Sequence, residues 1–352
     1  MIFSSFHLLK KAHLLGFFLW PMLLIQGCSS EIEPIHIYGD TMGTTYTVTI
    51  ADSRNEINSN QVKTGIDSVL LVVNASMSTY DEYSEISAIN RQKNADWIGI
   101  SEDLSIVLSE AHYLSEVTAG LFDITIMPLI RLWGFRTRDR DSYWKPPSEE
   151  KIDSVKNEIG YQKFSVDGNR FKKTDPALQL DVNALAKGFG VDKVAQYLEY
   201  LGYKNYLVEI GGEVRCSGYN QQKIKWTIGI DSPILNSQPG AALYNIVELK
   251  EMSMATSGDY RNYIIYNDQL FSHILNPITG RPTQSVVSST TVLAPTCMLA
   301  DGLATALLVM DSEAGMHLIN SLQEVEALMI LRDVNGSFTE YKSEGFESYI
   351  KN

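Results

Sequence analysis

Cysteine is scarce in this chain, with Cys28, Cys216 and Cys297 the only three in 352 residues. No Cys-x-x-Cys pair occurs, which excludes a disulfide-built scaffold and leaves no dithiol or zinc-ribbon spacing. Cys216 and Cys297 read as two buried free thiols, although an oxidising compartment would permit one bridge between them. Basic residues are in deficit as well. Lysine and arginine total 29 against 42 aspartates and glutamates, a formal charge of −13. Such a surface repels nucleic-acid phosphates, so no nucleic acid is expected as a partner. Disorder is excluded from the other side, because 44% hydrophobic and 20% charged residues is ordinary globular composition.

The N-terminus carries Lys10 and Lys11, an apolar run from Leu14 to Ile25, and then Gln26-Gly27-Cys28. A basic start, an apolar middle and a small residue at the cut are the parts of a signal peptide. The run is shorter than the roughly 20 residues a membrane-spanning helix needs. Residues 1–27 are therefore expected to be removed, which takes away two lysines and leaves the chain two units more negative. The Cys28 sulfur is what lipoprotein processing acylates, so Cys28 is expected as an anchor, with 28–34 as a tether. An ordinary secretory signal with a coincidental cysteine is the alternative. The expected location is a bacterial cell envelope, membrane-anchored and facing the periplasm, with inner or outer membrane left open.

From residue 35 to 352 no linker, repeat or low-complexity tract intervenes, and the segment reads as one domain. Thr45–Ile50 is a β-branched and aromatic strand. Helices are expected over Gln61–Ala75, Leu104–Thr118 up to Gly120, Ala184–Leu201 and Thr296–Met310, from apolar spacing of three and four. Arg136 to Ser148, with Pro146-Pro147, reads as a surface insertion. Further strands are expected at Tyr206–Ile210, Trp226–Ile230, Tyr244–Leu249, Asn262–Tyr266, Leu270–Leu275 and Val286–Val292, with a hairpin turn at Asn267-Asp268. Short strands between helices, without steady alternation, predict an α+β fold of mixed, largely antiparallel sheets.

Four segments carry possible chemistry. Asp301 and Thr305 are four apart on a predicted helix, so a carboxylate and a hydroxyl share one side, which suits a hard cation such as Mg²⁺. Taken alone, such a pair is usually a solvated face. In Asp181-Val-Asn-Ala-Leu-Ala-Lys-Gly188, with Gln179–Asn183 read as strand end and helix cap, the helix start offers free N–H groups to a phosphate. Lys187, in the first turn, works against the helix dipole and calls for an anion, either Asp181 or a nucleotide phosphate; a solvated lysine is the plain alternative. His273, at a strand end before a Pro/Gly turn, can take a proton near neutral pH, although a lone histidine is more often structural. Thr256-Ser257-Gly258 offers hydroxyl and backbone donors for phosphate oxygens, or is a plain turn.

Together and in this order, these segments resemble the ApbE family, the FAD:protein FMN transferases. The resemblance rests on Thr41-Met-Gly-Thr-Thr-Tyr46, Ser78-Thr-Tyr-Asp81, Gly120-Leu-Phe-Asp-Ile-Thr125, Asp181 to Gly188, Gly211-Gly-Glu213, Thr256 to Tyr263, Ser272-His-Ile-Leu-Asn-Pro277 with Thr279-Gly-Arg-Pro282, and Ala300-Asp-Gly-Leu-Ala-Thr305. It spans nearly the whole mature chain. It implies a flavin pocket at Met42, Tyr80, Leu121, Phe122, Asp123, Asp181, Lys187 and Leu275; Ser257, from its hydroxyl, is expected as a further cofactor contact. It implies metal contacts at Asp301, Thr305 and the Ala184 carbonyl, and a base at His273. Two departures, Asn276 for the usual aspartate and Ala304 for a frequent carboxylate, remove negative charge near the metal, with the geometry expected to be kept.

The activity so implied is Mg²⁺-dependent transfer of FMN from FAD to a threonine or serine hydroxyl, with AMP leaving. The implied acceptors are exported flavoprotein subunits of membrane redox complexes. Two other readings use the same site: an FAD pyrophosphatase, in which water is the acceptor, and a lipoprotein that binds FAD without chemistry.

Overall fold

Val48 and Ile50, in β2 (Thr44–Ile50), turn to one buried face while Thr47 and Thr49 alternate with them, as the β-branched run predicts. β2 pairs antiparallel with β1 (Ile35–Thr41) through a two-residue turn at Met42 and Gly43, both at positive φ. That backbone matches the right-handed strand twist, and it strains the non-glycine Met42. The computed structural model describes residues 33–52, 58–135, 144–260, 262–333 and 335–351. The signal peptide and Cys28, with most of the tether, lie outside the described residues, as does most of the surface insertion.

Six more strands extend this pair. β3 (Tyr206–Ile210), β4 (Glu213–Ser217), β5 (Met252–Gly258), β6 (Val287–Ala294), β7 (Glu326–Arg332) and β8 (Phe338–Lys342) follow β2 in chain order, and every neighbour pair is antiparallel. The sheet is a meander of eight strands, with the helices inserted between its turns. Both faces are covered. In β5–β7, Met254, Leu293, Leu328 and Ile330 face a core with Trp226, Val247 and Phe346, while Ala255, Val292, Ala327 and Met329 face the helical core. Trp226 and Val247 come from a separate hairpin, Trp226–Asp231 with Leu243–Leu249.

Eight α-helices are described: α1 (Ser59–Met77), α2 (Glu85–Arg91), α3 (Glu102–Val117), α4 (Met127–Trp133), α5 (Glu149–Lys156), α6 (Asn183–Tyr200), α7 (Cys297–Leu307) and α8 (Ser312–Ser321). α1 buries Val62, Ile66, Leu70 and Val73, a helical stripe, and Asn58 caps its first turn. α6 and α7 pack on each other over the sheet, and at Gly188 their backbones come close. A methyl group there would collide with the Cys297 carbonyl and Met298 Cα.

Residues 32–352 form one compact unit, and the α+β expectation holds. None of the described helices is long and apolar enough to cross a membrane. Four local expectations change. Thr256-Ser257-Gly258 is the end of central strand β5 rather than a plain turn. Gln179–Val182 is no strand end, and Asn183 is already helical; Asp181 Oδ1 instead accepts from Asn183 N at 2.9 Å, closing an Asx turn just before α6. Leu270–Leu275 splits at His273 between strands Gln269–Ser272 and Leu275–Asn276. The helix expected to Met310 ends at Leu307. Cys216 and Cys297 are both free and buried.

Candidate active site

The ends of α6, α7, β5 and the Leu275–Asn276 strand meet the loop after α3 around one cleft of about 420 Å³, a size in the range of cofactor pockets. Its apolar side is Leu121, Phe122, Ile126, Ile130 and Leu275; its polar side is Asp181, Lys187, Glu213, Ser257, His273, Asp301 and Thr305, with Ala184 beside them. Tyr80 stands at its edge, largely exposed.

Asp301 and Thr305 sit one turn apart on α7, as their spacing predicts. Thr305 Oγ1 and Ser257 Oγ lie 3.3 Å apart, joining α7 to the end of β5. Asp301 Oδ2 accepts from Gly188 N at 3.1 Å. In an ideal helix that amide serves the carbonyl four residues back, which here is Ala184. Asp301 thus reaches the first turns of α6, whose Ala184 lines the same cleft, although the two segments are over 110 positions apart in sequence.

Lys187 pairs with Glu213 rather than with Asp181. Burial works against its charge, but the carboxylates of Asp301 and Glu213 outweigh burial and raise its pKa, so the amine stays protonated. Burial raises the carboxyl pKa of Asp301 and of Glu213, and Lys187 opposes the rise at both. Glu213 Oε2 is buried without a hydrogen-bond partner. Two buried carboxylates thus share one ammonium, an electrostatic excess that a further cation would relieve.

His273 Nδ1 lies 2.8 Å from the Asn262 carbonyl oxygen, and His273 N donates to the same oxygen at 3.1 Å. A carbonyl can only accept, so Nδ1 carries the proton and Nε2 of the neutral ring is left as the base. Enclosure by protein lowers the imidazole pKa below its ordinary value, and the Lys187 charge lowers it further, against the Asn262 carbonyl.

Three expectations need adjusting. Met42 is not among the cleft's lining residues; it packs behind the cleft, against Gly190 of α6 and between two cores. Asp123 lines the cleft, but its oxygens are engaged within the protein: Oδ1 accepts from Thr125 N and Oγ1, and Oδ2 from Tyr161 N. Asn276 and Ala304 do not line it either. The Asn276 side-chain oxygen accepts from Ile278 and Thr279 N, keeping the turn as expected, and Ala304 is buried in the helical core. Sequence reasoning missed Glu213 and Asn262 as site residues. The Gly211-Gly-Glu213 turn was visible, but nothing in it signalled a partner for Lys187.

Residues 42–329 match the ApbE family. A Vibrio cholerae protein named FAD:protein FMN transferase is 39% identical over 94% of this chain and 96% of its own length. The chain belongs to the ApbE family. A Haemophilus influenzae protein of the same name is also 39% identical, over 91% of this chain and 93% of its own. Among solved structures, the flavin transferase ApbE from Vibrio cholerae superposes with a TM-score of 0.81 at 38% identity, covering 90% of this chain and 99% of that one. The apo flavinyl transferase ApbE from Pseudomonas stutzeri gives 0.80 at 32%, covering 90% and 96%. The cleft is built largely from the family's motifs: seven of the eight that carried the resemblance contribute lining residues, and the eighth holds Met42.

Proposed function

We infer that this chain is an FAD:protein FMN transferase, moving FMN from FAD to a threonine or serine hydroxyl of an acceptor protein. The carrying observation is that a histidine with its Nδ1 proton fixed shares a cleft with a carboxylate–hydroxyl pair and a protonated lysine, at the size a flat dinucleotide half requires. Family membership and two relatives of that name at 39% identity support the same reading.

The acceptor oxygen attacks the FMN-side phosphorus, and the bond from that phosphorus to the bridging oxygen breaks, releasing AMP. His273 Nε2 takes the hydroxyl proton as the new P–O bond forms. Lys187, kept charged by Asp301 and Glu213, meets the pyrophosphate. Leu121, Phe122 and Leu275 offer apolar surface to the ring system. Phosphoryl transfer is catalysed mainly by positioning and charge neutralisation, so these groups account for most of the requirement.

Mg²⁺ fits the donors present. Asp301, Thr305 and the Ala184 carbonyl would hold it, and the uncompensated carboxylate charge beside Lys187 favours it. No group of three His, Cys, Asp or Glu side chains converges among the described residues, so water and substrate phosphate would supply its remaining oxygens. When bound, the ion would neutralise charge developing on the pyrophosphate.

Cys28 would anchor the chain to a membrane of the cell envelope, facing the periplasm, within reach of flavoprotein subunits of membrane redox complexes. The anchor follows from the N-terminal sequence pattern, and the acceptor class from the family resemblance. Growth with labelled palmitate tests it: label retained by the wild-type chain and absent from Cys28→Ala supports the anchor, and label in neither removes it. For the activity, incubation with FAD, Mg²⁺ and an acceptor domain should give a flavin-fluorescent, acid-stable protein band and AMP. AMP with free FMN and no labelled protein would instead indicate a pyrophosphatase.

A further inference from the structure

A second cleft adjoins the first and is basic, in a chain of net charge −13. Arg91 at the end of α2, Lys93 just beyond it and Arg131 on α4 line about 520 Å³ of space, with Glu82 the one carboxylate in the lining. Behind it lies Lys173, fully buried, whose Nζ donates to the Ile89 and Leu178 carbonyls at 3.1 Å each.

Among the described residues no carboxylate pairs with the basic side chains that line this cleft. Arg170, Arg215, Arg281 and Arg332 each pair with a carboxylate. Arg91 and Arg131 instead donate to neutral oxygens, the Glu82 backbone carbonyl and the Gln179 side chain. Among the described residues neither they nor Lys93 and Lys173 form an ion pair. With acid in such excess, a basic cleft left open points to an anionic partner from outside.

Its position and rim say which kind. Tyr80 lines both clefts, so whatever fills the basic one lies beside the flavin site. Tyr80 is 72% exposed there, and Tyr83, next in the chain to the lining residue Glu82, is 86% exposed; tyrosine with arginine is the composition of protein-binding hot spots. FAD's own charge lies in its pyrophosphate, which Lys187 meets in the other cleft.

We propose that this basic cleft docks the acceptor protein through an acidic segment next to the hydroxyl that receives FMN. This rests on the transferase reading, and the test separates the two. The full-length chain is assayed with an FMN-binding acceptor domain that the wild type modifies, varying acceptor and FAD separately. An Arg91→Glu, Arg131→Glu double variant should raise the KM for acceptor by about tenfold or more and weaken its dependence on ionic strength. The KM for FAD should stay unchanged, and an Arg91→Lys, Arg131→Lys variant should stay near wild type. Both arginines are exposed, and should the double variant melt early, Lys93→Glu gives the same readout. An unchanged KM for acceptor overturns the proposal. So does a rise in the KM for FAD alone, which would assign the cleft to the adenylate half of FAD. Failure of the wild type to modify any acceptor overturns the transferase reading itself.

Discussion

Asp192, buried on α6, accepts hydrogen bonds from the backbone N–H groups of Cys297 at 3.0 Å and Met298 at 2.9 Å, so one helix caps the start of another. Arg215 of β4 pairs with the same carboxylate at 2.8 Å. The clamp sits one turn from Gly188, whose amide meets Asp301, and it fixes where α7 presents its carboxylate and hydroxyl.

Removing that clamp should therefore affect stability and metal use together. Asp192→Ala leaves two buried helix-start amides without their acceptor and Arg215 with Glu199 as its remaining partner, at a cost of about 2–4 kcal/mol. Denaturant unfolding should read that loss. Asp192→Asn, which keeps one acceptor oxygen, should cost less and raise the Mg²⁺ concentration needed for half-maximal rate. A normal Mg²⁺ requirement in a stably folded Asp192→Asn would detach the clamp from the site.

Gly188→Ala drives a methyl into the Cys297 carbonyl, which is backbone and cannot swing aside. We expect about 1–3 kcal/mol of destabilisation from the forced separation of α6 and α7. The displaced Gly188 amide should also weaken the hold of α6 on Asp301. Thermal unfolding with and without Mg²⁺ checks both effects, because the variant should lose most of any stabilisation by the ion.

The helices were legible from their apolar periodicity, even where one helix serves two cores. α1, α3, α6 and α7 follow spacing of three and four, and the structure gives them within a few residues. β5 and β7 were not legible. Met252–Ala255 and Ala327–Ile330 are buried on both faces, so no polar alternation marks them. Ser289, Thr290 and Thr291 in β6 are buried polar residues that look like surface from sequence alone. The site's components were legible one by one, but their convergence was not: Lys187 with Glu213, and Asp301 with Gly188, depend on how α6, α7 and β4 pack. Composition likewise gives a net negative charge and hides the basic cleft.

The pH profile should carry the signature of His273. Its pKa is lowered by enclosure and by Lys187, so the ring stays neutral, and competent as a base, below the pH at which an ordinary imidazole protonates. The limb of the profile that His273→Ala removes should lie below the usual histidine range. His273→Ala should lower kcat by about 10²–10⁴-fold and leave the KM for FAD nearly unchanged. An unaltered kcat in that variant would remove His273 from the proton transfer.

Lys187→Met leaves Glu213 and Asp301 without their shared cation. Its KM for FAD should rise by about tenfold or more through loss of a charge-assisted contact to phosphate. Isothermal titration with FAD reads this directly, and unchanged affinity would place the pyrophosphate elsewhere.

Mass spectrometry of an acceptor domain co-expressed with the wild-type chain and with Asp301→Ala tests the central claim most directly. The account predicts one FMN, less one water, on a threonine or serine of the acceptor with the wild type, and none or a trace with the variant. An unmodified acceptor with the wild type, while FAD is still consumed to FMN and AMP, would contradict it, and so would equal modification by the two proteins.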